Sequence, residues 1–432
     1  MALAGSRTFV GFGFGAIQAG LFLYEAFRSD SFGRLVVAEV MPEAVDALHR
    51  AGGFYSVNIA HADRIETARV GPVEVYSPLV PKDREALVGA LAGAEEIATA
   101  IPSVEFYASE GPGSLHRVLA AGFARKVELD GPRAVIYAAE NDNAAAEKLK
   151  RLVLAEVPAH RREDMRVRAR FLNTVIGKMS GFVEEQEEQG LATATPGSPR
   201  AFLVEVFNRI LISKIDFDPP FERGLAVFEE KEYLLPFEEA KLYGHNATHA
   251  LAAYLGRLLG VDRIGDLRDA PGFMPFLRSA FVDESGEALV RKHGGADPLF
   301  ACEGYAGYAD DLLKRMTNPF LMDTVERVGR DVRRKLGWAD RLVGTMRLAL
   351  SQGIEPRRYA IGAAAALAAL DAAFFEGQVP AARLAHPLWV DANASPDEEK
   401  RVLELVEQGR RFLCAWKRAG CPNPEDALTR RE

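Results

Sequence analysis

The stretch RTFVGFGFGAIQAGLFLYEAF, residues 7–27, constrains the chain most. A short apolar strand runs into Gly11, Gly13 and Gly15, and a helix leaves the same turn with Gly20 inside it. Further strand-like runs follow at RLVVAEV (34–40), VEVYSP (73–78), EIATAIP (96–102) and RAVIYAAEN (133–141), with helical stretches such as DREALVGALAG between them. Strands alternating with helices imply a largely parallel, doubly wound sheet. QGLATATPGSPR (189–200) has the composition of a loop, and AFLVEVFNRILISK after it fits strand or helix. From about residue 226 helical patterns dominate, at 237–259, 305–316, 322–335, 339–353, 358–375 and 397–418. At 432 residues the chain exceeds one ordinary core. The expected fold is therefore an α/β, Rossmann-type doubly wound domain over 1–225 and a mainly α-helical domain over 226–432.

The glycine turn points to a dinucleotide. Glycines there allow a tight turn and let backbone N–H groups approach a pyrophosphate at a helix N-terminus. Expected cofactor contacts are Gly11, Gly13, Gly15, Ala16 and Ile17 at the turn, Glu39 and Val40 after the second strand, and Ala100 and Ile101 after EIAT. Glu39 can accept hydrogen bonds from the adenosine ribose hydroxyls and would repel a 2′-phosphate, which favours NAD over NADP. The third glycine position of the fingerprint holds Gln18, whose side chain is expected to push the helix slightly off the sheet.

Composition narrows the partners. A net charge of −8 argues against nucleic acid. YAIGAAAALAALDAAFF (359–375) is short for a membrane span and contains Asp371, so a buried helix is expected. Cys302, Cys414 and Cys421 are few, odd in number and in no ligand spacing, which fits a reducing cytoplasm without a disulfide framework.

The second half offers one polar constellation. KLYGHNATHALAAYLGRLLG (241–260) reads as an apolar helix with Lys241, His245, Asn246 and His249 at its head. On a regular helix Lys241, Asn246 and His249 lie within an arc of about 140°. A hydride-transfer enzyme needs a group to take the hydroxyl proton and donors to stabilise charge on that oxygen, and these types supply them. A lysine acts as a base near neutral pH only when burial or a nearby cation depresses its pKa. On spacing alone, a solvated polar stripe fits as well. His245 and His249 also have metal-ligand spacing, but the glutamate of the zinc-protease motif is missing and no third ligand is evident, so no metal is expected.

The Lys-x4-Asn-x2-His pattern of Lys241, Asn246 and His249 resembles the motif of the polyol-specific long-chain dehydrogenases, as do IYAAEN (136–141) and NPFLMDTVERVGRDVRRKLGWADRL (318–342). The last stretch is most like the mannitol-1-phosphate 5-dehydrogenase branch. The segments occur in the family's order, and the resemblance spans roughly residues 8–375. It implies NAD-dependent, metal-independent interconversion of a polyol phosphate and a ketose phosphate in a cytoplasmic enzyme, a monomer or weak homo-oligomer. Lys241 would be the acid/base, Asn141 and Asn246 would hold the substrate oxygen, and His249 would hydrogen-bond the substrate. The alternatives are a free polyol or hexuronate as substrate, or a nucleotide-binding regulator without catalysis. Departures from the family are Gln18 and Ala19 at the turn, Gly177 and Lys178 where the family has Asp-Arg, an acidic loop near 183–189 and a longer C-terminus.

A phosphate would need cations. Arg327, Arg330 and Arg334 recur at i, i+3 and i+7, one face of a continuous helix, with Lys335 beside them. Arginine suits bidentate phosphate binding. The competing reading is a solvated basic helix end paired to Asp323 and Glu326.

Overall fold

The computed structural model describes residues 5–184 and 190–429, so most of the acidic loop near 183–189 lies outside the described residues. The chain forms two compact units, Met1–Leu234 and Leu235–Glu432.

Among the described residues the first unit contains twelve strands: β1 Arg7–Phe12, β2 Phe32–Ala38, β3 Tyr55–Ala60, β4 Ile65–Val70, β5 Glu74–Tyr76, β6 Glu96–Thr99, β7 Ala134–Ala138, β8 Ala169–Val175, β9 Ser180–Val183, β10 Ala201–Glu205, β11 Ile210–Ser213 and β12 Phe228–Lys231. Eight form a sheet in the order β12-β11-β8-β7-β6-β1-β2-β5. All pairs in it are parallel except β8 with β11. The run β5-β2-β1-β6-β7-β8 has the dinucleotide-fold order, with its direction of winding reversing between β1 and β6. Phe9, Leu35, Val37, Val135 and Tyr137 pack into one apolar cluster, and their strand neighbours Val10, Val36, Ala38, Ala134 and Ile136 into another. Both faces of the sheet are therefore covered, which is why these strands read as continuous apolar runs.

A second sheet, β4-β3-β10-β9, was not expected from the sequence. It packs on the first cluster through Tyr55, Val57, Ile59, Phe202 and Val204. The ambiguous segment AFLVEVFNRILISK becomes two strands, β10 and β11, in different sheets. Because β12 pairs with β11, residues 228–231 belong to the sheet of the first unit.

The second unit is helical. Among its helices are Ala247–Leu259, Cys302–Met316, Val343–Ser351, Arg357–Leu370 and Pro396–Arg418. The Ala-rich helix Arg357–Leu370, buried from Tyr359 to Leu367, packs against both Ala247–Leu259 and Pro396–Arg418. Small residues permit this closeness: a Cβ on Gly362 would sit 2.7 Å from Leu251 Cδ1, and one on Gly409 would sit 2.5 Å from the Ala360 carbonyl oxygen. Among the described residues no helix is long and apolar enough to cross a membrane.

Candidate active site

In the first unit the predicted cofactor residues gather at the C-terminal ends of β1, β2 and β6. Gly13 has φ +82°, and a Cβ there would lie 2.8 Å from the Ala100 carbonyl oxygen and 3.2 Å from Ile101 Cγ2. Only glycine lets the turn close against Ala100 and Ile101 in this way. At Gly15 a Cβ would meet nothing within 4 Å, so the backbone faces open space where the helix begins at Ala16 and Ile17. Val40, Met41, Leu79, Val80 and Phe106 are exposed apolar side chains on the segments that follow β2, β5 and β6.

Glu39 does something beyond its expected role. It is buried, and its carboxylate accepts hydrogen bonds from the backbone N–H groups of Phe14 (2.6 Å), Val40 (2.7 Å) and Met41 (2.8 Å). It ties the end of β2 to the glycine turn, and most of its acceptor capacity is already used. Its negative charge still stands at the strand end.

The Gln18 side chain lies over Gly11 of β1. It sits in a π-helical segment, Gln18–Leu23, and is fully buried. A Cβ on Gly11 would collide with its side-chain amide, so Gln18 fills the space over β1 that the glycine leaves. Neither its Oε1 nor its Nε2 has a hydrogen-bond partner.

Asn141 is exposed in the loop after β7. The loop is anchored by its neighbour Glu140, whose buried carboxylate accepts from Thr99 Oγ1 (2.9 Å), the Ile101 N–H (3.0 Å) and the Tyr107 hydroxyl. Burial raises the pKa of Glu140 although these donors oppose it. Sequence reasoning missed Glu140; the only signal was an acid directly before the predicted asparagine.

In the second unit the head of the lysine helix is not regular. Ala240–Asn246 is π-helical and runs into the α-helix Ala247–Leu259, with the Ala247 N–H donating to the Leu242 carbonyl five residues back. The widened turn replaces the regular-helix arc: Lys241 and Asn246, five apart, stand about one π turn from each other. The head is held from several sides. Gly244 lets Phe281 and the Tyr305 hydroxyl approach, Tyr243 Oη donates to the Ala339 carbonyl (3.3 Å), and Thr248 Oγ1 meets Tyr359 Oη at 2.7 Å.

Lys241 is half-buried, and among the described residues neither its ammonium nor the Asn246 amide has a hydrogen-bond or ion-pair partner within this unit. Burial, and then the positive charge of Arg341, lower the Lys241 pKa to about 8, with Glu238 opposing. His245 is buried, and burial followed by His249, Arg315, Lys241 and Arg341 pushes its pKa well below the ordinary histidine value. The His245 and His249 rings stack at 6.0 Å. Among the described residues no group of three or more His, Cys, Asp or Glu side chains is placed to hold a metal ion.

The predicted arginine face does not form. Thr324 caps a short helix, Val325–Gly329, which ends at Arg330 in extended conformation; Asp331 is left-handed (φ 57°), and Val332–Lys335 is a separate turn. Glycine and aspartate are the residues that tolerate such a break. The freed carbonyls find partners: Gly329 accepts from Tyr254 Oη (3.0 Å), and Arg330 from Lys335 Nζ. Arg327, Arg330 and Arg334 therefore share no helical face. Arg327 is paired to buried Asp323, its Nε at 2.7 Å and an Nη at 2.6 Å from the same Oδ1. Arg330 and Arg334 are exposed, Arg334 lying 3.6 Å from Asp331. Lys335 is buried, and burial and then Arg341 lower its pKa to about 8. Arg341, which the sequence did not single out, is thus the cation that bears on both lysines.

Residues 233–408 match the family described as Mannitol dehydrogenase C-terminal domain. That segment carries Lys241, Asn246, His249, Asp323, Lys335 and Arg341. The fold is similar to that of a D-sorbitol dehydrogenase in substrate-free form, at 14% identity over 98% of this chain and 95% of that one, with a TM-score of 0.74. It is also similar to Pseudomonas fluorescens mannitol 2-dehydrogenase in a ternary complex with NAD and D-mannitol, at 15% identity over 100% of this chain and 95% of that one, with a TM-score of 0.71. These likenesses establish a shared architecture: a parallel-dominated Rossmann-type sheet followed by a helical region.

Proposed function

We propose that the chain is an NAD-dependent polyol dehydrogenase that interconverts a polyol phosphate and a ketose phosphate with Lys241 as acid/base. The observation that carries this reading is the state of Lys241: a half-buried, unpaired amine with a pKa lowered to about 8, beside Asn246 and His249. A lysine kept only for solubility stays solvated and near its ordinary value.

The first unit fits a dinucleotide. The open backbone at Gly15, the left-handed Gly13 and the exposed apolar side chains of Val40, Met41, Leu79 and Val80 suit a pyrophosphate and an adenine, and the charge of Glu39 disfavours a 2′-phosphate. When bound, the nicotinamide supplies the hydride acceptor for alcohol oxidation. The neutral Lys241 amine takes the proton of the reacting hydroxyl, and returns it in ketone reduction. The Asn246 amide donates to the same oxygen as negative charge gathers on it, and His249 hydrogen-bonds a neighbouring substrate hydroxyl. Asn141 enters this reading on the sequence resemblance.

The phosphate is supported by charge rather than by the arginine face. Arg341 lowers the pKa of both Lys241 and Lys335, so its charge, paired to Asp340 at 2.8 Å, still repels each of the two lysines. An anionic substrate relieves that repulsion. A free polyol is favoured instead by the neutralisation of Arg327 on Asp323 and by the substrates named for the two similar structures. Steady-state rates with hexitol phosphates and free hexitols, each with NAD and NADP, and with hexuronates, each with NADH and NADPH, decide between them. A free hexitol with kcat/KM equal to or above that of every phosphorylated one overturns the phosphate reading, and no turnover of any polyol overturns the proposal.

A further inference from the structure

Two buried polar atoms in the second unit lack a hydrogen bond of good geometry and face each other: His249 Nε2 and Asp323 Oδ2, 3.3 Å apart. An unsatisfied buried nitrogen or carboxylate oxygen is costly, so each is the partner the other requires, and a small rotation of the imidazole completes the bond. The other carboxylate oxygen is already used, because Arg327 places both Nε and an Nη on Oδ1. Burial would raise the Asp323 pKa, but His249 and Arg327 together hold it below the ordinary aspartate value. The group at His249 Nε2 is therefore a carboxylate, an acceptor only.

The backbone under Asp323 is fixed to an unusual degree. Met322 before it is left-handed (φ 53°), a conformation that costs a non-glycine residue energy. Thr324 after it caps the following helix through the Arg327 N–H (3.1 Å) and forms an isolated antiparallel bridge with Arg263. The Ile264 N–H donates to the Asp323 carbonyl (2.9 Å), and the Val325 N–H to the Asp262 carbonyl (2.9 Å). The loop just past the end of the lysine helix thus holds the carboxylate against a side chain at that helix's head.

We infer that Asp323 is the positioning residue of His249: it holds the ring in the Nε2–H tautomer, so that Nδ1 is left as a hydrogen-bond acceptor for a substrate hydroxyl. The part concerning substrate rests on the proposed polyol dehydrogenase reading; the part concerning the ring does not. When the ring is deprotonated, Nε2–H pointing at the carboxylate places its one lone pair on Nδ1. Such a nitrogen selects a hydroxyl over a carbonyl or ether oxygen, because only the hydroxyl donates. His249 would therefore contribute to the recognition of a hydroxyl that stays unreacted. Arg327 keeps Asp323 ionised through its Nε and Nη contacts to Oδ1.

The test has a spectroscopic arm and a kinetic arm on the full chain. Histidine-labelled protein is compared with His249→Gln to assign the His249 ring nitrogens by long-range ¹H–¹⁵N correlation. The expected result is Nε2–H in the wild type and a mixture or Nδ1–H in Asp323→Asn, with Asp323→Glu retaining Nε2–H. An Nδ1–H tautomer in the wild type overturns the inference, whether or not the protein oxidises polyols. In the kinetic arm Asp323→Asn should raise the polyol KM or lower kcat/KM roughly 10- to 100-fold, the loss of one charge-assisted hydrogen bond, and leave the KM for NAD unchanged. Asp323→Glu should recover most of the loss. In a His249→Ala background Asp323→Asn should cost little more. An equal loss in both backgrounds makes Asp323 a structural residue and overturns the inference. No polyol turnover in the wild type, or an unaffected kcat/KM in His249→Ala, overturns the functional reading instead and leaves the ring tautomer to decide the positioning.

Discussion

Lys241 makes a quantitative demand on the pH dependence of the reaction. With a pKa of about 8 in place of 10.5, the neutral fraction at pH 7 rises from about 0.03% to about 9%, roughly 300-fold. Alcohol oxidation needs the neutral amine, so kcat should climb about tenfold between pH 7 and pH 9 and level off above. Ketone reduction needs the ammonium, so its limb should fall over the same interval. Burial is the larger cause of the shift and Arg341 the second, which sets the size of a perturbation at Arg341. Arg341→Met removes a repelling cation and should move the oxidation limb to higher pH, by about one pH unit or less, because the buried setting remains. Lys241→Arg, which cannot deprotonate, should abolish the limb together with most of the turnover, roughly 10²–10⁴-fold. The assay is kcat for oxidation of the preferred polyol from pH 6 to pH 11 at saturating NAD. A wild-type limb near 10.5, an unmoved limb in Arg341→Met, or a limb that persists in Lys241→Arg refutes the reasoning.

Gln18→Met keeps the volume over Gly11 and removes two unpaired buried polar atoms, so urea unfolding of the first unit should shift upward by about 1–3 kcal/mol; an unchanged or lowered midpoint indicates that the amide is satisfied in solution. Glu39→Ala withdraws the acceptor of three backbone N–H groups, so it should lower thermal stability and NAD affinity together, and a variant with unchanged melting and improved NADP use would show that the residue only selects the cofactor. Exhaustive EDTA treatment should leave turnover unchanged; loss that zinc restores would assign the stacked His245 and His249 to a metal instead of to the polar head described here.

Strands β1, β2, β6 and β7 of the large sheet were legible because both faces are buried, which turns each into an apolar run, and β5 was read within VEVYSP; β8 and β12, with partly exposed or charged residues, were not read. The small sheet was not: β4, IETARV, is mostly exposed and reads as a polar segment, and β10 and β11 lie in one apolar stretch that only tertiary pairing divides. The lysine motif was legible as a pattern of residue types, but its geometry was not, because a π turn depends on what packs against it. Gly244, admitting Phe281 and Tyr305 to the helix, is the visible trace of that packing. The arginine face failed for a related reason. Periodicity carried a regular helix through Gly329 and Asp331, whereas Tyr254 and Lys335, distant and near in sequence, satisfy the carbonyls that a break exposes. Asp323 shows the same limit from the other side. Its pairing with Arg327 is an i, i+4 relation that the sequence offers, but its second partner, His249, comes from another helix, and only the fold brings the two orphaned atoms within 3.3 Å. Residue types at fixed spacing thus name the chemistry available to one helix. The protonation and orientation of those side chains depend on Arg341 and Asp323, which other segments deliver.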